Sequence, residues 1–450
     1  MERQDVIELI QELDVKNVKF GITDIDGVLR GKIINVKKFL ASLENDIGFC
    51  NVIFGWDIND ECYDNSKISG WHTGYPDSFA SIDPDSYRKI PWENDKPFFI
   101  ADFEHSEDLS KVCPRTLLKR IRSEAIDLGF YPNYAAEFEW YNFSESPTTL
   151  KDKNYRNPIP ISPGMFGYSI LRASQFSEYI HHLYDDLFTF GIPLEGIHTE
   201  TGDGVYEAAI TYDDILVSAD RAALFKTSVK EIASRHNILA SFMAKWNMAL
   251  PGCSGHLHQS LCDFGGNNLF YDQNKPNKIS QTMEHFIAGQ LHCMPAILPM
   301  FAPTTNSYKR YVEGSWSPTA VGWGIENRTT ALRVINHDQN SMRLEHRVPG
   351  ADANPYLSMA ASLASGLFGI KHQLPLQMKP TNGNQYENKN AIPFSQDLGE
   401  AIRVMKESDI STELFGKDFT DHFIRTREWE WKQFQNSDEE WEMKRYFEIV

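Results

Sequence analysis

Short apolar stretches in which charged residues return at every second position alternate along this chain with longer stretches of helical period. The first pattern predicts strands with one wet face, and the second predicts amphipathic helices. Residues 1–15 read as a short helix. Val18–Thr23 and Lys32–Val36 read as strands flanking a turn over Asp24–Gly31. Residues 50–100, rich in Gly, Asp, Asn, Pro and Trp, read as a small β-rich module with long loops. Pro114 then opens a strong helix to Gly129, so a boundary falls just before it, dividing the chain into 1–108 and 109–450. Further helices are expected over Ala173–Gly191, Asp220–His236, Ile279–Met294 and Pro355–His372. Met378–Ile392 reads as a surface loop and Lys417–Val450 as terminal helices.

Four strand-like segments carry unusual polar faces. Glu137 and Glu139 share one face of Tyr134–Tyr141, and His256, His258 and Ser260 share one face of Ser254–Ser260. Arg343, Glu345 and Arg347 line one face of Met342–Val348, with Leu344, His346 and Val348 on the other. Glu200 and Glu207 flank a Gly-Asp-Gly turn, a spacing that brings two carboxylates together across a hairpin. Any one of these faces reads as a solvated strand. Four of them, built from Glu, His and Arg rather than Lys, Thr and Ser, point to chemistry. Carboxylates with a few imidazoles suit Mg²⁺ or Mn²⁺, and interleaved guanidiniums suit phosphate held beside the metal. Arg310, Arg328 and Arg333 extend that basic set. No Walker or Rossmann glycine motif occurs, so a nucleotide would be held by another architecture. The residues alone lead to a two-metal phosphoryl-transfer site and leave its substrate open.

Composition narrows the setting. The 450 residues carry 44 Lys and Arg against 62 Asp and Glu, a net charge of −18, which argues against non-specific nucleic-acid binding. Hydrophobic residues at 41% support a sizeable core. The start shows no signal-peptide pattern, and no apolar run approaches membrane-spanning length. The six cysteines are scattered without a C-x-x-C pair, so a reducing, cytoplasmic setting is expected, without membrane or nucleic-acid partners.

These motifs resemble the glutamine synthetase superfamily over nearly the whole chain. The landmarks are Ala136-Glu-Phe-Glu139, Glu200 with Glu207, Ser254–Ser260, Thr305–Arg310, Glu326–Arg333 and Arg343–Leu357, in matching order and spacing. The resemblance implies an α+β fold. An N-terminal β-grasp domain (1–108) would precede a catalytic domain (109–450) whose antiparallel sheet forms a half-barrel flanked by helices. It also implies a homo-oligomer, a double-ring dodecamer or decamer in which a neighbour's N-terminal domain closes each site. Carried over, Glu139, Glu200 and Glu207 would hold one metal, and Glu137, His256 and Glu345 the other. His258, Ser260 and Arg343 would lie along ATP, with Arg328 and Arg333 on its phosphates. Arg310, Arg347 and the backbone of Gly252 would serve glutamate and the transferred phosphoryl group, with Arg328 and Arg347 acting in catalysis. The implied chemistry is a γ-glutamyl phosphate made from ATP and glutamate, then attacked by an amine.

Three positions depart from the ammonia-using members. Trp316 stands where they carry a flap Glu, Pro251 stands where they carry Asn, and Trp56–Asp60 replaces an Asp-Gly-Ser-Ser latch. Asp57 would keep the acidic role of that latch. An indole accepts no proton, but it offers an apolar or cation–π wall, so Trp316 is expected in the amine site, with Trp56 and Trp323 able to extend the wall. This combination resembles the branch that forms γ-glutamyl amides from organic amines. Glutamine synthesis from ammonia is the alternative, and a non-catalytic protein on the same fold is the alternative of another class.

Overall fold

A computed structural model describes all 450 residues. Six strands form the N-terminal sheet: β1 (Asn17–Thr23), β2 (Leu29–Asn35), β3 (Ile47–Cys50), β4 (Asp77–Ile82), β5 (Arg88–Ile90) and β6 (Lys96–Asp102). Their order is β2-β1-β6-β4-β3, with β5 on β6, and the β1–β6 pair is parallel. The helix Val36–Asn45 packs on this sheet through Phe39 and Leu43, giving the expected β-grasp arrangement. Its core also takes in Leu109, Val112 and Cys113, just before the helix Pro114–Asp127.

The second sheet has nine strands: β7 (Tyr131–Phe143), β8 (Leu194–Thr199), β9 (Val205–Ile210), β10 (Asp213–Asp214), β11 (Leu239–Ser241), β12 (Gly255–Cys262), β13 (Trp323–Ile325), β14 (Leu332–Ile335) and β15 (Arg343–His346). The order β13-β14-β15-β12-β7-β9-β8, flanked by helices, is the expected half-barrel. It is antiparallel except at β13–β14, which pair in parallel at its edge. Phe138 and Trp140 point from β7 into the core against Phe225 and Phe242, so Glu137 and Glu139 must face the other way.

The expected helix over Ala173–Gly191 is two, Ile170–Gln175 and Ser177–Thr189, because Phe176 leaves helical geometry at φ −120°, ψ 33°. The helices Ile215–Arg235, Gln281–Ile297 and Pro355–Lys371 match their periodic stretches within a turn or so. Arg115 ties the two sheets' surroundings together. Its guanidinium, 3% exposed, donates to Asp83, Asp102 and Asp220 at 2.6–2.8 Å. No helix is long and apolar enough to cross a membrane.

Candidate active site

Strand register assembles the polar faces into one cavity. Glu137 on β7 lies directly opposite His256 on β12, and His258 lies opposite Glu345 on β15. Glu139 pairs with Glu207 on β9, which pairs in turn with His198 on β8, while Arg333 on β14 faces Glu345. Cross-strand neighbours stand about 5 Å apart at Cβ, so a row of Glu and His on adjacent strands converges without any loop. Gly202 and Gly204, both at positive φ, turn the β8–β9 hairpin and leave Glu200 at its start beside Glu207.

The cavity measures about 620 Å³ and is lined by five glutamates and five arginines: Glu137, Glu139, Glu200, Glu207 and Glu345, with Arg310, Arg328, Arg333, Arg343 and Arg347. Gly252, His256, His258 and Trp316 line it too. Ser260 lies in an adjoining cavity of about 430 Å³ that shares Glu137, His258 and Arg343 with the first. Gly252 has no room for a side chain, since a Cβ there would stand 2.6 Å from the Ala244 carbonyl and 2.7 Å from Arg310 Cγ. That close packing seats Arg310, itself 3% exposed. Arg347 donates to the Arg328 carbonyl at 3.1 Å and to the Trp316 carbonyl at 3.2 Å, and it ion-pairs with Glu345. Trp316 is 60% exposed on the rim and holds φ +60°.

Electrostatics divide the carboxylates into two groups. Burial pushes Glu345 up, but Arg347 and the histidines outweigh it and bring its pKa down to about 2. Burial raises the half-buried Glu137 too, but His256 and His258 hold it well below the usual range. Glu139, held by the Ser254 amide, and Glu207, held by His198, are less well compensated. Burial raises both, Glu200 adds to the rise at Glu139, and Glu137 and Glu139 take Glu207 to about 7. Carboxylates that raise one another's pKa form a site short of positive charge. A divalent cation supplies that charge, and hard oxygen donors with few imidazoles suit Mg²⁺ or Mn²⁺.

Two compact donor sets stand out, Glu137–His258–Glu345 and His198–Glu200–Glu207. The first holds His258 where the sequence reading put His256, whose Nδ1 lies 3.3 Å from Glu137 and 3.5 Å from Glu345. The second adds His198, which the sequence reading missed, although its spacing two residues before Glu200 was a signal. Tyr168, packed at a tilt on His198 with ring centroids 4.5 Å apart, gave no such signal.

Asp57 does not line this chain's own cavity, as the expected closure of each site by a neighbour's N-terminal domain requires. It is 1% exposed. Its carboxylate accepts from the amides of Asn59 and Glu61, from Trp429 Nε1 at 3.0 Å and from Arg445 at 2.8 Å. Every lone pair is used within the chain, which makes Asp57 an anchor for the C-terminal helices. Trp56 lies under Arg30, outside the lining of this chain's cavity, and Trp323 is buried with its indole bonded to the Met378 carbonyl, so Trp323 does not extend the rim.

The family description "Glutamine synthetase, catalytic domain" matches residues 111–446. The chain belongs to the glutamine synthetase family. As such it is an ATP-dependent carbon–nitrogen ligase of a family that uses divalent metals. A relative from Dictyostelium discoideum named "Type-1 glutamine synthetase 2" is 50% identical over 96% of this chain and 84% of its own length. A "Glutamate--isopropylamine ligase" from a Pseudomonas species is 35% identical over 99% of this chain and 98% of its own. Among glutamine synthetase folds, a solved structure described as a GmaS/ADP complex superposes with a TM-score of 0.84, at 27% identity, covering 97% of this chain and 98% of that one.

Proposed function

We propose that this chain joins glutamate to an organic amine, using ATP, to give a γ-glutamyl amide. The observation that carries the reading is Trp316, an exposed indole on the cavity rim where the ammonia-using members have a carboxylate. An indole favours an alkylammonium or an apolar substituent over ammonium, through cation–π attraction and burial. The 35% identity to the isopropylamine ligase supports the same choice.

In this reading Arg310 and Arg347 hold the glutamate, and Arg328 and Arg333 hold the phosphates of ATP. The γ-carboxylate oxygen attacks the terminal phosphorus, and ADP leaves. Five guanidiniums against five carboxylates leave no surplus positive charge for a polyphosphate. Two divalent ions, held by the carboxylates of the two donor sets, would neutralise that charge when bound. The amine nitrogen then attacks the acyl carbon of the γ-glutamyl phosphate, phosphate departs, and the nitrogen gives up a proton. An alkylammonium has a pKa of about 10, so a proton must leave before the attack as well.

The assembly proposed with this activity is a double-ring homo-oligomer. Its support is the exposed apolar strip Met165, Phe166, Tyr168, Ile170 and Leu171 beside the cavity.

A second reading, glutamine synthesis from ammonia, is favoured by the 50% identity to the Dictyostelium protein of that name. The two separate in one assay. ADP release is measured with Mg²⁺ or Mn²⁺, ATP and glutamate, against ammonium, methylamine, isopropylamine, ethanolamine, putrescine and aniline. Strong turnover with one organic amine and little with ammonium supports the proposal, and the reverse supports the second reading.

A further inference from the structure

A second cavity, of about 580 Å³, shares no lining residue with the catalytic one. It lies among the β1–β2 turn, the end of β7, the helix Ile215–Arg235 and the last residues of the chain. Val28, Leu29, Ile238 and Ile449 give it apolar walls. Lys226 and Lys230, four apart and therefore on one face of that helix, line it as well.

Neither lysine is in an ion pair. Lys226 is 5% exposed, and its ammonium has one acceptor, the Ala353 carbonyl at 3.5 Å. Lys230 donates to the Ile449 carbonyl at 2.8 Å. Both ammonium groups stand over the Phe242 ring, 5.7 and 5.8 Å from its centre. The nearby acids are committed or distant. Asp352 accepts from Thr304 and Ser307 through Oδ2 and acts on Lys226 by its charge without an ion pair, Asp26 is ion-paired with Arg427, and Glu145 with Lys153. Glu448 influences Lys230 without forming an ion pair. Burial accordingly lowers the Lys226 ammonium to about 8, and burial with the Lys226 charge lowers Lys230 well below its ordinary value. A buried cation without a carboxylate is costly unless a ligand completes it.

We infer that this cavity binds an amphipathic anion, with a carboxylate or phosphate head on Lys226 and Lys230 and an apolar body against Val28, Leu29 and Ile238. The size suits a small organic ligand. The site would be separate from catalysis, although Lys226 bonds the Ala353 carbonyl, a few residues after Arg347.

The test titrates the purified full-length chain with hexanoate, hexyl phosphate and uncharged hexanamide, reading calorimetric affinity and the thermal midpoint. Saturable binding of either anion, with none of hexanamide, is expected. The preferred anion identifies the head as carboxylate or phosphate. Lys226→Met and, at the half-buried position, Lys230→Gln are each expected to weaken that binding about tenfold, the effect of losing one charge-assisted hydrogen bond. Three results would overturn the inference: no saturable binding of either anion, equal binding of hexanamide, or binding unchanged in both variants. The last would assign the anion to the arginines of the catalytic cavity.

Discussion

His198 and Glu207 face each other across the β8–β9 ladder, with imidazole Nε2 3.2 Å from a Glu207 oxygen. Glu207 is in turn opposite Glu139, so one imidazole ends a row of two raised carboxylates. A partner in that place fixes the orientation of a ligating carboxylate, and losing such a partner costs about 10–100-fold in metal affinity. His198→Ala is therefore expected to weaken Mn²⁺ binding by that factor, read by titration without substrates. Undiminished Mn²⁺ affinity would show that His198 merely packs against Tyr168.

Trp316 meets the rest of the site through its backbone, because Arg347 binds its carbonyl and not its indole. Substitution should therefore spare the arginine. Trp316→Ala is expected to raise KM for an organic amine by up to about tenfold, the scale of a lost cation–π contact, with KM for ATP and glutamate unchanged. Trp316→Glu, which restores a proton acceptor to the rim, should move preference toward ammonium. If both variants keep the amine profile of the native chain, the indole has no part in selecting the amine.

The strands bearing the site were legible because a face that merely meets water seldom repeats Glu, His and Arg at every second position. Glu137 and Glu139, His256 and His258, and Arg343, Glu345 and Arg347 all lie on the faces that alternation assigns them. What pairs with what was not legible. The convergence of Glu139 with the Glu207–His198 hairpin depends on register between strands over 60 residues apart in sequence. The split at Phe176 was hidden because apolar spacing continues across it while the backbone does not. The anchoring of Asp57 was hidden for a similar reason. Its partners Trp429 and Arg445 lie at the far end of the chain, and only the folded structure reveals them.

Asp57 gives a prediction that separates a structural role from a catalytic one. Removing one partner of a buried ion pair leaves Arg445 sharing Glu430 alone, at a cost of about 3 kcal/mol. Asp57→Asn should lower the urea midpoint accordingly, while the pH profile of kcat/KM keeps its shape. A displaced pH profile with full stability would place Asp57 in the chemistry.

Asp102 sets the acid limit of the contact between the two domains. It is 2% exposed. Burial pushes its pKa up, but Arg115 and Lys119 outweigh burial and leave it below the usual carboxylate value. With the folded value depressed, the stabilisation is fully present above the unfolded pKa of about 4 and disappears as pH falls through the folded value. Asp102→Asn removes the charge at every pH and leaves Arg115 to Asp83 and Asp220. Urea unfolding of both proteins across a pH series should show the native chain more stable by about 3 kcal/mol near neutrality. That gap should close only below about pH 4, where the native carboxylate also becomes neutral. A gap of constant size down to strong acid would mean that the carboxylate's shape matters here and its charge does not.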